Sequence, residues 1–249
     1  MSHTHAARPP LPSHGVVAAY RRDVDAHPTL AVPAYGSTRW RAPSRAPLPL
    51  MQGLTEITGP LFGAGTVAAL DHDLTRQHAG EPQGERIIVR GRVSDGDNRP
   101  VANSLVEIWQ ANAAGRYRHP NDRHPAPLDP NFTGAGRCLT DDEGRYEFIT
   151  IKPGAYPWRN HANAWRPAHI HFSLFGRAFA QRLVTQMYFP GDPLFFQDPI
   201  FNAVTDEKAR MRMIARFDLE HTVSEWALGY TYDIVLSGRD ATPLDVRRL

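Results

Sequence analysis

The chain has 249 residues, 41% apolar and 22% charged, a balance that excludes wholesale disorder and suits one large globular domain. Its net charge is +2 and its pI about 8.8, but the arginines are scattered and build no basic run, so nucleic acid is excluded as the expected partner. The single cysteine, Cys138, rules out an internal disulfide or a thiolate metal cluster and fits a reducing cytoplasm.

At the N-terminus, MSHTHAARPPLPSH lacks the apolar run of a signal peptide, and no later stretch has the length to span a bilayer, so no membrane partner is expected. His3, His5 and His14 alternate there with small polar residues and read as a solvated tail. Residues 1–60 hold nine prolines, which block regular ladders, while Leu30, Val32, Tyr35, Trp40, Leu48 and Leu50 punctuate them with apolar groups. This pattern predicts an extended arm laid across another surface, ahead of a domain over 61–249.

Short β-rich runs then recur between turn signals. RIIVRGRV at 86–93 ends at SDGDNRP and is followed by VANSLVEIWQ; RYEFITI at 145–151 lies between DDEG and KPG. Further strands are predicted at AHIHFSL (168–174), LVTQMYF (183–189) and YTYDIVL (230–236). One helix is predicted over TDEKARMRMIARF (205–217), with a Thr start, early acids and later arginines. Asn112 to Thr140, rich in Pro, Asn, Gly and Asp, is predicted as one long functional loop. The fold expected is all-β, a single β-sandwich core with long functional loops and an extended Pro-rich N-terminal arm.

His169 and His171 in AHIHF are two apart, so on a strand both imidazoles leave the same face and offer a two-point chelate. Twelve histidines in one chain also produce that spacing by chance. Tyr156 in PGAYPWRN and Tyr117 in WQANAAGRYRH sit on turn-rich segments, where each alone also reads as a half-buried loop aromatic.

Longer, ordered text decides between these readings. VEIWQANAAGRYRH, LDPNFTGAGRCLTDDEGRYEF, IKPGAYPWRN, WRPAHIHF and TQMYFPGDP resemble the intradiol ring-cleaving dioxygenases, on the branch of their β-type chains, and the likeness extends upstream to LDHDLTR and downstream to GYTYDIVL. The resemblance implies a non-haem Fe(III) held by Tyr117, Tyr156, His169 and His171, with Tyr156 and His169 axial. It implies that Arg166 and Gln186 line the reacting diol, that Trp109, Trp158, Arg159 and Ile200 form its wall, and that Tyr35 stands at the far end of the substrate. Protocatechuate and molecular oxygen are the implied substrates, and a related α chain without the iron ligands is the implied partner. The donor set is also chemically apt, since a hard, strongly acidic trivalent iron keeps a phenol ionised although the free group titrates near about 10. Two tyrosinates and one hydroxide also neutralise that ion, which suits a partly buried site. Other readings of the same residues are an intradiol enzyme for catechol or hydroxyquinol, a metal-free binding module, and for Arg166 a structural role in orienting the histidine-bearing strand.

Overall fold

Strand β1 (Arg86–Ser94) lies along β4 (Arg145–Ile151) in a seven-residue antiparallel ladder that pairs Val89 with Phe148 and Ile87 with Thr150. Its other flank carries two short parallel strands in succession, β10 (Leu228–Thr231) and β11 (Ile234–Val235), and β9 (Arg216–Phe217) extends the sheet beyond β10. A second sheet has the order β3 (Ala135–Leu139), β2 (Leu105–Gln110), β7 (His169–Phe175), β8 (Arg182–Tyr188), all antiparallel. A two-residue ladder joins β5 (Tyr156–Pro157) to β6 (Trp165–Arg166), and two short helices follow, α1 (Pro199–Asn202) and α2 (Glu207–Met211). This computed structural model describes residues 31–33, 67–158, 165–175 and 182–244.

The two sheets face each other across one core, because strand residues alternate between faces. The first sheet sends in Ile87, Val89, Tyr146, Phe148, Tyr230, Tyr232 and Ile234; the second sends in Val106, Ile108, Ile170, Phe172, Leu174, Leu183 and Met187. Phe172 is fully buried at the seam, with ring centroids of Tyr146, Phe148 and Tyr232 5.8, 6.3 and 5.3 Å away. The expected all-β sandwich is therefore present. A smaller cluster of Tyr188, Phe201, Val204, Ala209 and Met213 lies on the outer face of the second sheet, so the segment carrying α1 and α2 roofs that face.

Several sequence expectations need correction. The run at 230–236 is two strands: Tyr232 N–H still donates to Arg90 O, but the Asp233 carboxylate takes the N–H of Arg92 that a continuing strand would use. Gly91 allows this close crossing, since a Cβ there would lie 1.9 Å from Tyr232 O. The helix expected over 205–217 spans only Glu207–Met211, capped by Asp206, whose side chain accepts from Ala209 N–H. Its last two expected residues are strand β9. The loop expected over 112–140 ends in β3, whose small residues Ala135 and Gly136 gave no strand signal but pair with Trp109 and Ile108. The expected N-terminal arm lies outside the described residues apart from 31–33, and among the described residues no helix is long and apolar enough to cross a membrane.

Two outcomes follow from this packing. Phe172→Ala should cost about 3–5 kcal/mol of unfolding free energy, read as a lower urea midpoint at constant slope, because a full aromatic ring leaves the seam. Cys138, partly buried against the core, should react with thiol reagents at pH 8 more slowly than after unfolding, since burial pushes its thiol up to about 12. Equal labelling rates for the native and unfolded chains would contradict that shift.

Candidate active site

Strand β7 turns Ile170 and Phe172 into the core and His169 and His171 to the outer face of the sheet. Register then selects their neighbours: His171 lies opposite Trp109 on β2 and Gln186 on β8, and His169 lies opposite Tyr188. Trp109 stacks flat on His171, centroids 4.8 Å apart and planes within 4°, and the two imidazoles lie 4.8 Å from each other. His169 Nδ1 sits 2.7 Å from Pro167 O. A carbonyl only accepts, so this bond puts the proton on Nδ1 and leaves the Nε2 lone pair facing inward.

The two tyrosines arrive on segments that cross at glycines. Asn112 organises the first: its side-chain oxygen accepts from Ala114 and Arg116 N–H, and its carbonyl accepts from both Gly115 and Gly154 N–H. A Cβ on Gly115 would lie 2.2 Å from Ala155 O, and one on Gly154 would lie 2.4 Å from Ala113 O, so both positions require glycine for the backbones to touch. Tyr117 is then fixed by its N–H, which donates to Asp122 Oδ2 at 2.7 Å. Tyr156, expected on a loop, is held by the β5–β6 ladder directly opposite Arg166. The Tyr117 and Tyr156 rings meet edge to face at 5.4 Å, Tyr156 lies 5.5 Å from His169, and Tyr117 lies 6.4 Å from His171. Tyr156 Oη is 3.4 Å from His169 Nε2.

Arg166 is fully buried beside this cluster. Its Nη1 points at His169 Nε2 at 3.2 Å, while Nη2 faces Gln186 Oε1 at 2.5 Å, Asp198 Oδ2 at 2.9 Å and Tyr188 Oη at 3.1 Å. With two protons on Nη2, the carbonyl and the carboxylate are its acceptors, and Tyr188 Oη donates its own proton to Asp198 Oδ2 at 3.0 Å or Gln186 Oε1 at 3.1 Å. Burial alone would lower the guanidinium pKa, but the negative charge of Asp198 leads the effects that outweigh it and hold the group well above its ordinary value. The guanidinium also lies 5.4 Å from the Trp158 ring. Ile200 is buried at the start of α1, its N–H bonded to the same Asp198.

The structure thus gathers Tyr117, Tyr156, His169, His171, Arg166, Gln186, Trp109, Trp158 and Ile200 at one place, while Tyr35 and Arg159 lie outside the described residues. Tyr188 and Asp198 were missed. Tyr188 shares a face with Gln186 by simple strand alternation, and Asp198 precedes Pro199 in the Asp-Pro pattern of a helix start, so both carried a readable signal. Among the described residues no group of three or more His, Cys, Asp and Glu could hold a metal ion. A metal here must therefore draw on the two phenols as well as the two imidazoles. That demand fits a hard trivalent ion and disfavours zinc.

Residues 57–238 match the family model described as Dioxygenase, and residues 20–52 match the one described as protocatechuate 3,4-dioxygenase beta subunit N terminal. The chain is 61% identical to the protocatechuate 3,4-dioxygenase beta chain of Burkholderia cepacia, over 90% of this chain and 96% of that one. It is 35% identical to catechol 1,2-dioxygenase 2 of Acinetobacter lwoffii, over 58% of this chain and 54% of that one. In structure it resembles 3-chlorocatechol 1,2-dioxygenase of Rhodococcus opacus 1CP with a TM-score of 0.52 and 27% identity, covering 71% of this chain and 69% of that one.

The crossing of the tyrosine-bearing segments is open to a direct test. Gly115 has φ +76° and a blocked Cβ position, whereas Gly191 has the same φ with open space around it. Gly115→Ala should cost about 1–3 kcal/mol more than Gly191→Ala in chemical denaturation and should alter the near-ultraviolet circular dichroism of the tyrosine cluster. Equal costs for the two variants would show that the backbone contact does not hold the segments together.

Proposed function

The chain belongs to the intradiol ring-cleaving dioxygenases, and from that footing we propose that it is the β-type chain of a protocatechuate 3,4-dioxygenase. It opens 3,4-dihydroxybenzoate with O2 between the two hydroxylated carbons to give 3-carboxy-cis,cis-muconate, a step of aromatic catabolism in the β-ketoadipate pathway. Both oxygen atoms enter the product, so the reaction balances without an external reductant. The observation that carries the reading is the convergence of two phenols and two imidazoles with a buried guanidinium 3.2 Å from His169 Nε2. The higher identity to a protocatechuate enzyme, 61% against 35% for a catechol enzyme, favours the carboxylated diol.

Tyr117, Tyr156, His169 and His171 are the proposed holders of a non-haem ferric ion. Bound there, that ion supplies a Lewis acid that keeps the phenols ionised and withdraws electron density from the diol ring. His169 offers Nε2 because Pro167 O occupies its Nδ1 proton. Trp109 stacks on His171, fixes the ring plane and keeps water off that face. Tyr156 Oη is the proposed acceptor for a diol proton, a role it would take once a bound ion keeps it ionised. Arg166 Nη1 is the proposed donor to oxyanion charge that develops as the ring opens, with Gln186 fixing the opposite end of the guanidinium. Ile200 and Trp158 wall the substrate, and Tyr35 and Arg159 join them on the strength of the family likeness.

An α chain is the proposed partner, supported by the β-chain relative and by 30% identity to the protocatechuate 3,4-dioxygenase alpha chain of Pseudomonas putida. Residues 1–60 are the proposed contact arm, supported by the match of residues 20–52 to a β-subunit N-terminal model. A cytoplasmic setting belongs to the same reading and is supported by the lone cysteine.

Enzyme purified after expression with iron should be red to brown from tyrosinate charge transfer and should consume one O2 per protocatechuate. His169→Ala and His171→Ala should each lower iron affinity by at least about 10–100-fold, measured by metal analysis after dialysis. Tyr156→Phe should retain some iron yet take up the diol more slowly and with a steeper pH dependence under anaerobic stopped flow, whereas Tyr117→Phe should not change that pH dependence. A colourless parent, or a double histidine variant that stays fully loaded, would sink the assignment.

A further inference from the structure

Asp198 is fully buried, and its two oxygens address different parts of the site. Oδ2 accepts from Arg166 Nη2 at 2.9 Å and lies 3.0 Å from Tyr188 Oη, while Oδ1 accepts from Ile200 N–H at 3.0 Å. We propose that Asp198 is a positioning residue for ring opening, which holds one end of the Arg166 guanidinium so that Nη1 faces the diol and ties that direction to the Ile200 wall. The inference rests on the reading of Arg166 as a catalytic group.

Three features separate this role from simple helix capping. A cap needs one oxygen, and Oδ1 alone serves it; the second oxygen is turned fully toward Arg166 and Tyr188. Gln186 Oε1 already accepts from Nη2 and fixes a direction, but a neutral amide leaves the guanidinium charge unbalanced. Both partners of the ion pair have wholly buried side chains, so no solvent screens the charge that remains if the carboxylate is lost. Among the described residues, Tyr188 Oη, 3.1 Å from Nη2, is the remaining polar neighbour at that end of the guanidinium. Without Asp198 that end of the guanidinium therefore keeps only uncharged partners, Gln186 and Tyr188, and nothing balances its charge. With it, Nη2 is held on Asp198 while Nη1 lies beside His169.

Asp198→Asn separates the roles, because asparagine caps a helix as well as aspartate while losing the charge that pairs with Nη2. In the full-length enzyme assayed with protocatechuate, Asp198→Asn should lower kcat by about 10–100-fold with a much smaller change in KM. In an Arg166→Gln background the same substitution should cost less than about twofold, since the group it positions is gone. Thermal unfolding of the same proteins supplies a second readout: the midpoint should fall by roughly 6–15 °C in Asp198→Asn and recover by at least half in the double variant. The comparison of the double variant with Arg166→Gln needs no purified Asp198→Asn, so an unfolded single variant does not block the test. An unchanged kcat in Asp198→Asn, or a tenfold loss that persists when Arg166 is already glutamine, overturns the positioning role alone. A parental kcat in Arg166→Gln overturns the catalytic reading of Arg166 and this inference with it.

Discussion

Strand β7 lies between β2 and β8 with His171 opposite Trp109 on one side and Gln186 on the other, and core and site both depend on that register. The side-chain period of a strand is two, so the alignment that sends Ile170, Phe172 and Leu174 into the core is the one that turns His169, His171 and Ser173 outward. A slip by one residue would bury imidazoles against Phe148 and Tyr232 and expose Phe172. The hydrophobic effect thus enforces the position of the polar groups: about 1.5–3 kcal/mol per large apolar side chain resists any other alignment. No interaction of the histidines themselves is needed to place them.

An outward-facing site on a sandwich must then be roofed, since polar groups that do chemistry in a water-poor setting need cover. Tyr188 links the two functions. Its ring packs against Phe201 and Phe195 in the small second cluster, and its hydroxyl enters the Arg166 network. The roof is attached to the sheet by apolar contact and to the site by the Asp198 carboxylate. A buried ion pair of this kind adds little net stability, because desolvation offsets most of the attraction. Its effect is directional: Arg166 has Nη2 fully engaged and Nη1 turned to His169.

The parts visible in the sequence are those governed by short-range periodicity and by long ordered motifs. AHIHF showed the shared face of two imidazoles, and RYEFITI and LVTQMYF showed their alternation, because each signal lies within one strand. Strand β3 was hidden because AGRCL has no alternation of its own and is a strand only through its ladder with β2. The division of 230–236 was hidden for the same reason, since it follows from the approach of Tyr232 to Gly91, more than a hundred residues away in sequence. Tyr117, Tyr156 and Arg166 were found through family resemblance. Their mutual distances depend on glycine crossings and a two-residue ladder, which no local pattern encodes.

The donors at the site differ in how firmly the backbone holds them, and the difference bears on their roles. His169 and His171 stand on the second sheet's β7, which is bonded on both flanks, and His169 is locked further by Pro167 O. Tyr156 stands on a strand of two residues whose partner is Arg166. Few backbone bonds have to yield for Tyr156 to shift, whereas displacing either histidine would break the ladder that organises the core. The phenol proposed to exchange protons is the one on the weaker support. Since β5 and β6 pair Tyr156 with Arg166 directly, a movement of the phenol would act on the segment that carries the guanidinium, and Asp198 is the charged contact that would hold that guanidinium against it.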